Sequence, residues 1–188
     1  NSEWGLLNLS LTEQKLGNVL KGLELYEKRE KERSLLLHKD LKLEKLTELT
    51  SLNDYEHKLK ILVIGEQGFG DQLMACLYLK KLSSLGYRIS YLVDEKLYNL
   101  LVKVKDLRNI KIIKKIIEKD AEIFDFKIFS MSLPLLFKKK NLHREAVKIN
   151  ASEITNKVKK NKILEKLSHQ KINVGIAWSG RSTQTRNS

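Results

Sequence analysis

Cysteine and proline are almost absent from this sequence. Among its 188 residues there is one cysteine, Cys76, and one proline, Pro134. A single cysteine cannot form a disulfide within the chain or supply the thiolates of a zinc cluster. The four histidines, which show no metal-ligand spacing either, are His38, His57, His143 and His169. The sequence therefore predicts no metal, no cofactor and a cytoplasmic location, with a peripheral position at the inner membrane surface as a variant of it.

Long uncharged apolar runs are also missing. The most apolar stretch, residues 61–79, is interrupted by Glu66 and Asp71, whereas a membrane-spanning helix needs about 18 uncharged residues. Positive charge is in excess, because 36 Lys and Arg face 23 Asp and Glu and give a formal net charge of +13. Such a charge can attract nucleic acid, but aromatic residues make up only 7% of the chain and supply no stacking platform. We therefore expect no nucleic-acid partner.

Residues 1–34 carry apolar side chains at helical spacing on both sides of a glycine. The pattern predicts two helices joined by a tight turn, with Gly17 in the left-handed conformation and Asn18 capping the second helix. Residues 35–57 are highly charged with scattered leucines and are predicted to form a helical linker. The segments N-L at 8–9, L-G at 16–17 and L-E-L-Y-E-K at 23–28 resemble the last unit of a tetratricopeptide array, so residues 1–34 are expected to be a tetratricopeptide-like helix pair. Because a lone unit cannot bury both of its faces, we expect further repeats before it, and such repeat helices could dock a protein partner.

From residue 58 onward, short apolar runs of the kind found in buried parallel strands replace the helical pattern. Residues 60–64 predict a strand, 65–70 a glycine-rich loop, 71–85 a helix and 88–93 a second strand, which together form one βαβ unit. The remaining predicted elements are helices at 95–104 and 154–167 and strands at 110–113, 123–129 and 173–178.

Alternating strands and helices predict an α/β fold. Residues 58–170 are expected to form a Rossmann-like, doubly wound parallel sheet, whose ligands bind at the carboxyl ends of the strands. Residues 171–188 would then begin a second domain, most of which we expect to lie beyond residue 188.

The segment G-E-Q-G-F-G-D at residues 65–71 follows the first strand, where backbone N–H groups and a helix N-terminus can bind a ligand. Its glycines are spaced G-x-x-G-x-G, unlike the G-x-G-x-x-G of dinucleotide-binding proteins, although Asp94 stands where a ribose-binding acid would. The spacing of Gly65 and Gly70 fits a phosphate-binding loop, but Asp71 and Gln72 replace its lysine and hydroxyl residue. A carboxylate there would repel phosphate, which disfavours a kinase or ATPase.

The same loop resembles the G-E-Q-G-x-G-D signature of tetratricopeptide-linked glycosyltransferases, which are related to the ADP-heptose:lipopolysaccharide heptosyltransferase family. Four further segments are similar to that family and occur in the same order. They are G-L-E-L-Y-E-K-R at 22–29, with Leu23 in place of the usual Trp, F-D at 124–125, S-L-P at 132–134 and V-G-I-A-W-S-G at 174–180. The resemblance implies a GT-B fold, in which an acceptor-side and a donor-side Rossmann-like domain face each other across a cleft.

The resemblance also implies inverting, metal-independent transfer of a sugar from a nucleotide-sugar donor to a glycan, lipopolysaccharide or protein acceptor. Asp71 matches the aspartate that acts as the base in the heptosyltransferases, while an aspartate there can also cap the following helix, and the two roles are compatible. The loop residues expected on the acceptor side are Glu66, Gln67, Gly68 and Gly70. Glu66 and Gln67 would either contact the acceptor or hold the loop in place.

On the donor side, Ser179 and Gly180 follow the predicted strand 173–178, where backbone N–H groups of a tight turn could meet the donor diphosphate. One such turn is too little to hold a nucleotide, so residues 1–188 alone should not bind nucleotide sugars. Two alternatives remain: a non-catalytic scaffold that binds proteins through its helices, and, against the glycine spacing, a nicotinamide-dependent dehydrogenase.

Overall fold

The computed structural model describes residues 3–29, 41–48, 58–137, 147–149 and Glu165. The chain divides into two units, Asn1–Asn150 and Ala151–Ser188, and nearly all described residues belong to the first. The predicted strand at 173–178 lies outside the described residues, as do Ser179 and Gly180. The predicted helix at 154–167 does too, except for Glu165, which lies in a turn.

The N-terminal segment forms a helical hairpin of α1, Glu3–Lys15, and α2, Val19–Tyr26. Gly17 has a φ of +89°, which confirms the predicted left-handed turn. The predicted cap at Asn18 is wrong, because its side chain makes no hydrogen bond to the start of α2. Its amide instead donates to Oε2 of Glu13 at 2.7 Å, since this largely buried carboxylate needs donors.

In the part of the chain that the structure describes, five parallel strands form one sheet. Their bounds are β1 Glu44–Lys45, β2 Lys60–Ile64, β3 Arg88–Leu92, β4 Lys111–Ile113 and β5 Phe126–Phe129. The order across the sheet is β1-β5-β2-β3-β4, so β2 lies inside the sheet, as predicted. Leaving β1 aside, β4-β3-β2-β5 is the strand order 3-2-1-4 of doubly wound nucleotide-binding folds. The structure therefore confirms an α/β fold with an all-parallel sheet.

Among the described residues, four α-helices follow the strands of this sheet. They are α3 Phe69–Ser84, α4 Glu95–Leu101, α5 Glu118–Ala121 and α6 Leu133–Leu136, with 3-10 turns at Lys105–Leu107 and Ser130–Ser132. Helix α3 begins two residues before the predicted position, which shortens the glycine loop to residues 65–68. Within the described part of the chain, no helix combines the length and the apolar character that crossing a membrane requires.

Alternate residues of the central strand pack into different clusters. Ile61 and Val63 join the larger cluster with side chains of α3 and α4, whereas Leu62 and Ile64 join a smaller one with Leu92. Each fully buried aliphatic side chain contributes about 1.5–3 kcal/mol, which explains the uninterrupted apolar run of β2. Among the described residues, the smaller cluster is completed by side chains from strands and loops, not from helices.

The predicted helical linker is wrong over residues 41–48, which are not helical and contribute the edge strand β1. Two apolar residues of this segment, Leu41 and Leu46, are buried against the sheet. The backbone N–H of Leu46 donates to the carbonyl of Lys127 in β5 at 2.8 Å. An unpaired strand edge offers hydrogen-bonding groups that a nearby extended segment can satisfy. The rest of the predicted linker lies outside the described residues.

Candidate functional site

Two loops meet at the carboxyl edge of the sheet. Residues 65–68 follow β2, and the turn Ser130–Ser132 follows β5, the neighbouring strand. The chain proceeds from β2 to β3 on one side but returns to β5 on the other, so this is the topological switch point of the sheet. In open parallel sheets, ligands bind in the crevice that forms at such a point. The loops are in direct contact, because the N–H of Glu66 donates to Oγ of Ser130 at 3.1 Å.

Asp71 lies in the first turn of α3, as predicted. Gly68 is the residue before the helix, and its N–H donates to Oδ2 of Asp71 at 2.9 Å. This contact is the side-chain half of a capping box, so Asp71 stabilises the helix start from the third helical position. The structure shows no hydrogen bond to its other oxygen, Oδ1, from any described residue. The capping role of Asp71 therefore leaves one carboxylate oxygen for other chemistry.

A groove of about 330 Å³ runs beside Asp71, between α3 and the segment after β5. It is lined by Asp71, Leu73, Met74, Ala75, Leu77, Tyr78, Ser130, Met131, Pro134 and Val147. Asp71 is the only ionisable carboxylate among these lining residues, and the rest of the lining is mainly apolar. A hydroxyl group placed in the groove within hydrogen-bonding distance of Asp71 could transfer its proton to that carboxylate.

Glu66 does not line this groove, because its side chain is fully buried against Arg29, whose side chain is 3% exposed. Nε and Nη2 of Arg29 donate to Oε2 and Oε1 of Glu66 at 3.0 and 2.6 Å. Nη1 donates to the carbonyl of Tyr26 at 2.9 Å and to Glu27 at 3.1 Å, and Nη2 also donates to Oγ of Ser132 at 3.0 Å. These five contacts use all five N–H groups of the guanidinium.

The charges of this cluster stabilise each other. Burial alone would lower the pKa of Arg29, but hydrogen bonds and the charge of Glu66 outweigh it and raise the pKa. Burial would raise the pKa of Glu27, but the hydrogen bond from Lys45 and the charge of Arg29 lower it. Because the pKa of Glu27 is lowered on folding, its contribution to stability is present above the ordinary carboxyl pKa and is lost as the pH falls through the lowered value.

Glu66 also holds the loop itself. Its Oε1 accepts the N–H of Met131 at 2.9 Å, so its side chain and its backbone both bind the turn after β5. The next residue, Gln67, is exposed and has a φ of +62°, which is unusual for a residue other than glycine. Of the two roles predicted for Glu66, the structure favours holding the loop. Gln67 is exposed but does not line the groove beside Asp71.

Gly65 is tightly enclosed, whereas Gly70 is not. A Cβ at Gly65 would lie 2.8 Å from the carbonyl of Leu92 and 2.8 Å from Oε1 of Gln72, and one at Gly70 would meet nothing within 4 Å. We expect Gly65→Ala to lower the free energy of unfolding by about 1–3 kcal/mol through overpacking. Gly70→Ala, inside α3, should leave it unchanged or raise it by up to about 1 kcal/mol. Urea denaturation of both variants tests this, and equal effects would contradict it.

Three other residues singled out from the sequence have structural roles. Cys76 is buried, and burial raises the pKa of its thiol to about 11, so the interpretation of Cys76 as a core residue is confirmed. Asp94 caps α4 by accepting the N–H of Lys96 at 2.9 Å. Pro134 lies in the first turn of α6, just after β5. Among the described residues, no group of three or more His, Cys, Asp or Glu side chains could hold a metal ion.

Comparison of the chain with protein-family models, curated proteins and solved structures finds no match. The fold and the site define an α/β protein with an all-parallel sheet and a groove at the carboxyl edge of that sheet. The sequence predicted this loop but not the part played by Arg29, which is 37 positions from Glu66. The signal was present in the Y-E-K-R segment, whose residues Tyr26, Glu27 and Arg29 all join the cluster.

Proposed function

We propose that this protein is an inverting, metal-independent glycosyltransferase of the GT-B fold, whose described α/β unit is the acceptor-side Rossmann-like domain. The observation that carries the proposal is the position of Asp71, which lies at the switch point and lines a groove open to a ligand. The resemblance of the G-E-Q-G-F-G-D loop to that of tetratricopeptide-linked glycosyltransferases supplies the reaction.

In the proposed reaction, the acceptor binds with its hydroxyl group beside Asp71. As the hydroxyl oxygen forms a bond to the anomeric carbon, the carboxylate of Asp71 takes the hydroxyl proton. The bond from that carbon to the nucleotide diphosphate breaks, and its electron pair leaves with the diphosphate. Since the new bond forms on the face opposite the leaving group, the anomeric configuration inverts. Asp71 later releases the proton to water.

The donor would be held by the second domain, beginning with the backbone of Ser179 and Gly180. The α1–α2 hairpin would be the last unit of a tetratricopeptide array, and we propose that it binds a protein partner. Its large apolar residues with the most exposed side chains are Trp4, Leu9, Leu11, Leu16, Val19 and Leu20. We propose a cytoplasmic location, in which a thiol such as that of Cys76 stays reduced.

The stereochemistry of the product tests the proposal. A protein that includes the complete second domain is incubated with ADP-, GDP- and UDP-sugars and with oligosaccharide, deacylated lipopolysaccharide and serine-containing peptide acceptors. We expect transfer to one acceptor class, with a product whose anomeric configuration, read by proton NMR, is opposite to that of the donor.

The same assay in excess EDTA should proceed at an unchanged rate, because the proposed mechanism uses a carboxylate and no metal. Retention of configuration, or activity that disappears in EDTA and returns with Mg²⁺ or Mn²⁺, would overturn the proposed mechanism. No transfer with any donor would favour the scaffold alternative.

A further inference from the structure

A buried ion pair between Arg29 and Glu66 joins the end of the helical hairpin to the glycine loop. We propose that Arg29 is a positioning residue, which holds the carboxylate of Glu66 and thereby fixes the loop that presents Asp71. The loop then has its binding geometry only while the α1–α2 hairpin is docked. This inference rests on the proposed function only in treating Asp71 as the reacting group.

Arg29 is committed to the protein and not to a ligand. Its five N–H groups all have partners, and its guanidinium carbon lies 4.5 Å from the centre of the Tyr26 ring. Two of its partners, Tyr26 and Glu27, lie at the end of α2, so Arg29 is anchored on the hairpin side. The paired nitrogens Nε and Nη2 point at Glu66 with the bidentate geometry that fixes both the distance and the orientation of a carboxylate.

Glu66 passes this constraint to both loops of the crevice. Its backbone N–H holds Ser130 and its Oε1 holds the N–H of Met131, so it ties the loop after β2 to the turn after β5. The chain then turns at Gln67, whose left-handed conformation costs about 1 kcal/mol or more and persists only when its surroundings hold it. That turn brings the N–H of Gly68 to Asp71.

Loss of the Arg29 guanidinium would disrupt the contacts of Glu66 with both loops. A buried carboxylate without a positive partner is strongly unfavourable, so Glu66 would move toward water and release Met131. With its neighbour released, Gln67 would leave its left-handed conformation. Undocking of the hairpin removes Arg29 from Glu66 in the same way, so the hairpin controls the order of the loop.

Amide hydrogen exchange, measured by NMR on the chain described here, tests the inference. The loop is reported by the amides of Glu66, Gly68 and Met131, and the core by the amides of β2 and β3. Arg29→Lys keeps the charge but loses the bidentate contact. We expect the loop amides to exchange at least about tenfold faster relative to the core amides in this variant. Glu66→Gln alters the other partner of the same contact and should speed exchange of the same loop amides. It replaces Arg29→Lys as the test if that variant does not fold.

Lys21→Met is the matched control. This substitution breaks the ion pair between Lys21 and Glu13, which lies within the hairpin and away from the loop. The lysine side chain of this pair is 63% exposed. The ratio of loop to core exchange in Lys21→Met should stay within about twofold of that of the unaltered protein.

Parallel changes of loop and core amides in Arg29→Lys would show that Arg29 only stabilises the fold and would overturn the proposal. A loose loop in Arg29→Lys with an unchanged loop in Glu66→Gln would overturn the route through Glu66. Because exchange needs no catalysis, these outcomes are independent of whether the protein transfers a sugar, and an inactive enzyme would leave the positioning role standing.

Discussion

Arg29→Met is expected to lower the free energy of unfolding by about 3–5 kcal/mol. The side chain of Glu66 is 0% exposed, so removal of Arg29 leaves a buried carboxylate without its cation. The substitution also removes the guanidinium N–H groups that donate to the hydroxyl of Ser132 and to the carbonyl of Tyr26, although that carbonyl keeps the backbone N–H of residue 29 as a donor. Methionine is shorter than arginine but close to it in volume, so most of the loss would come from the unpaired carboxylate and not from a cavity. Urea denaturation followed by circular dichroism gives the value.

A double-mutant cycle with Glu66→Met separates the ion pair from the packing. When both charges are replaced by apolar groups of similar size, neither partner is left as a buried unpaired charge. The free energy of unfolding of the double variant should therefore be higher, by about 2 kcal/mol or more, than the value predicted by adding the losses of the two single variants. Lys114→Met is the control for an exposed pair, since the Lys114 and Glu95 side chains are 51% and 76% exposed. It should cost less than about 1 kcal/mol. A loss for Arg29→Met as small as that of the control would contradict the account of the buried cluster.

Local patterns in the sequence were sufficient for most of the fold. The continuous apolar run of β2 requires apolar surroundings on both sides, and the structure places that strand inside a parallel sheet. Gly17 marked the hairpin turn, because a left-handed residue at a helix end is usually glycine. Asp71 was correctly predicted to lie in the first turn of its helix. The helix starts at Phe69, two residues before the predicted start, because its first turn also accommodates Gly70.

Features that depend on distant partners could not be predicted in this way. The charged residues and scattered leucines of segment 41–48 led to the prediction of a helix. Its extended form is instead determined by pairing with the edge of β5 and by the burial of Leu41 and Leu46. Asn18 has the side chain of a helix cap, but Glu13 in the preceding helix competes for it. The ion pair between Glu66 and Arg29 could not be predicted, because the spacing of motifs along the sequence does not show which of them are in contact in the fold.

In the proposed reaction, Asp71→Asn is expected to lower the turnover of a protein that includes the complete second domain by about a hundredfold or more, the range for loss of a general base. Asparagine has almost the same shape as aspartate, and its side-chain oxygen can still accept the N–H of Gly68, so the start of α3 should be preserved. The free energy of unfolding should therefore change by less than about 1 kcal/mol. Donor affinity should be nearly unchanged, because the donor is bound by the second domain in the proposed fold. A loss of turnover at unchanged stability would thus belong to the chemical step.

Asp94→Asn supplies the matched control for this substitution. Asp94 follows the neighbouring strand β3 and caps α4 through the N–H of Lys96, but it does not line the groove. The two variants make the same chemical change at the start of two helices that follow adjacent strands. In the proposed reaction the acceptor hydroxyl binds beside Asp71 and not beside Asp94, so turnover of Asp94→Asn should stay within about threefold of that of the unaltered protein.

The most direct test of the account is therefore the initial rate of sugar transfer, measured at saturating donor and acceptor for the unaltered enzyme, Asp71→Asn and Asp94→Asn together. The account predicts a fall of about a hundredfold for Asp71→Asn alone, with the three proteins equally folded. If Asp71→Asn instead transfers sugar at the unaltered rate, Asp71 is only a helix-capping residue and the proposed catalytic site is wrong.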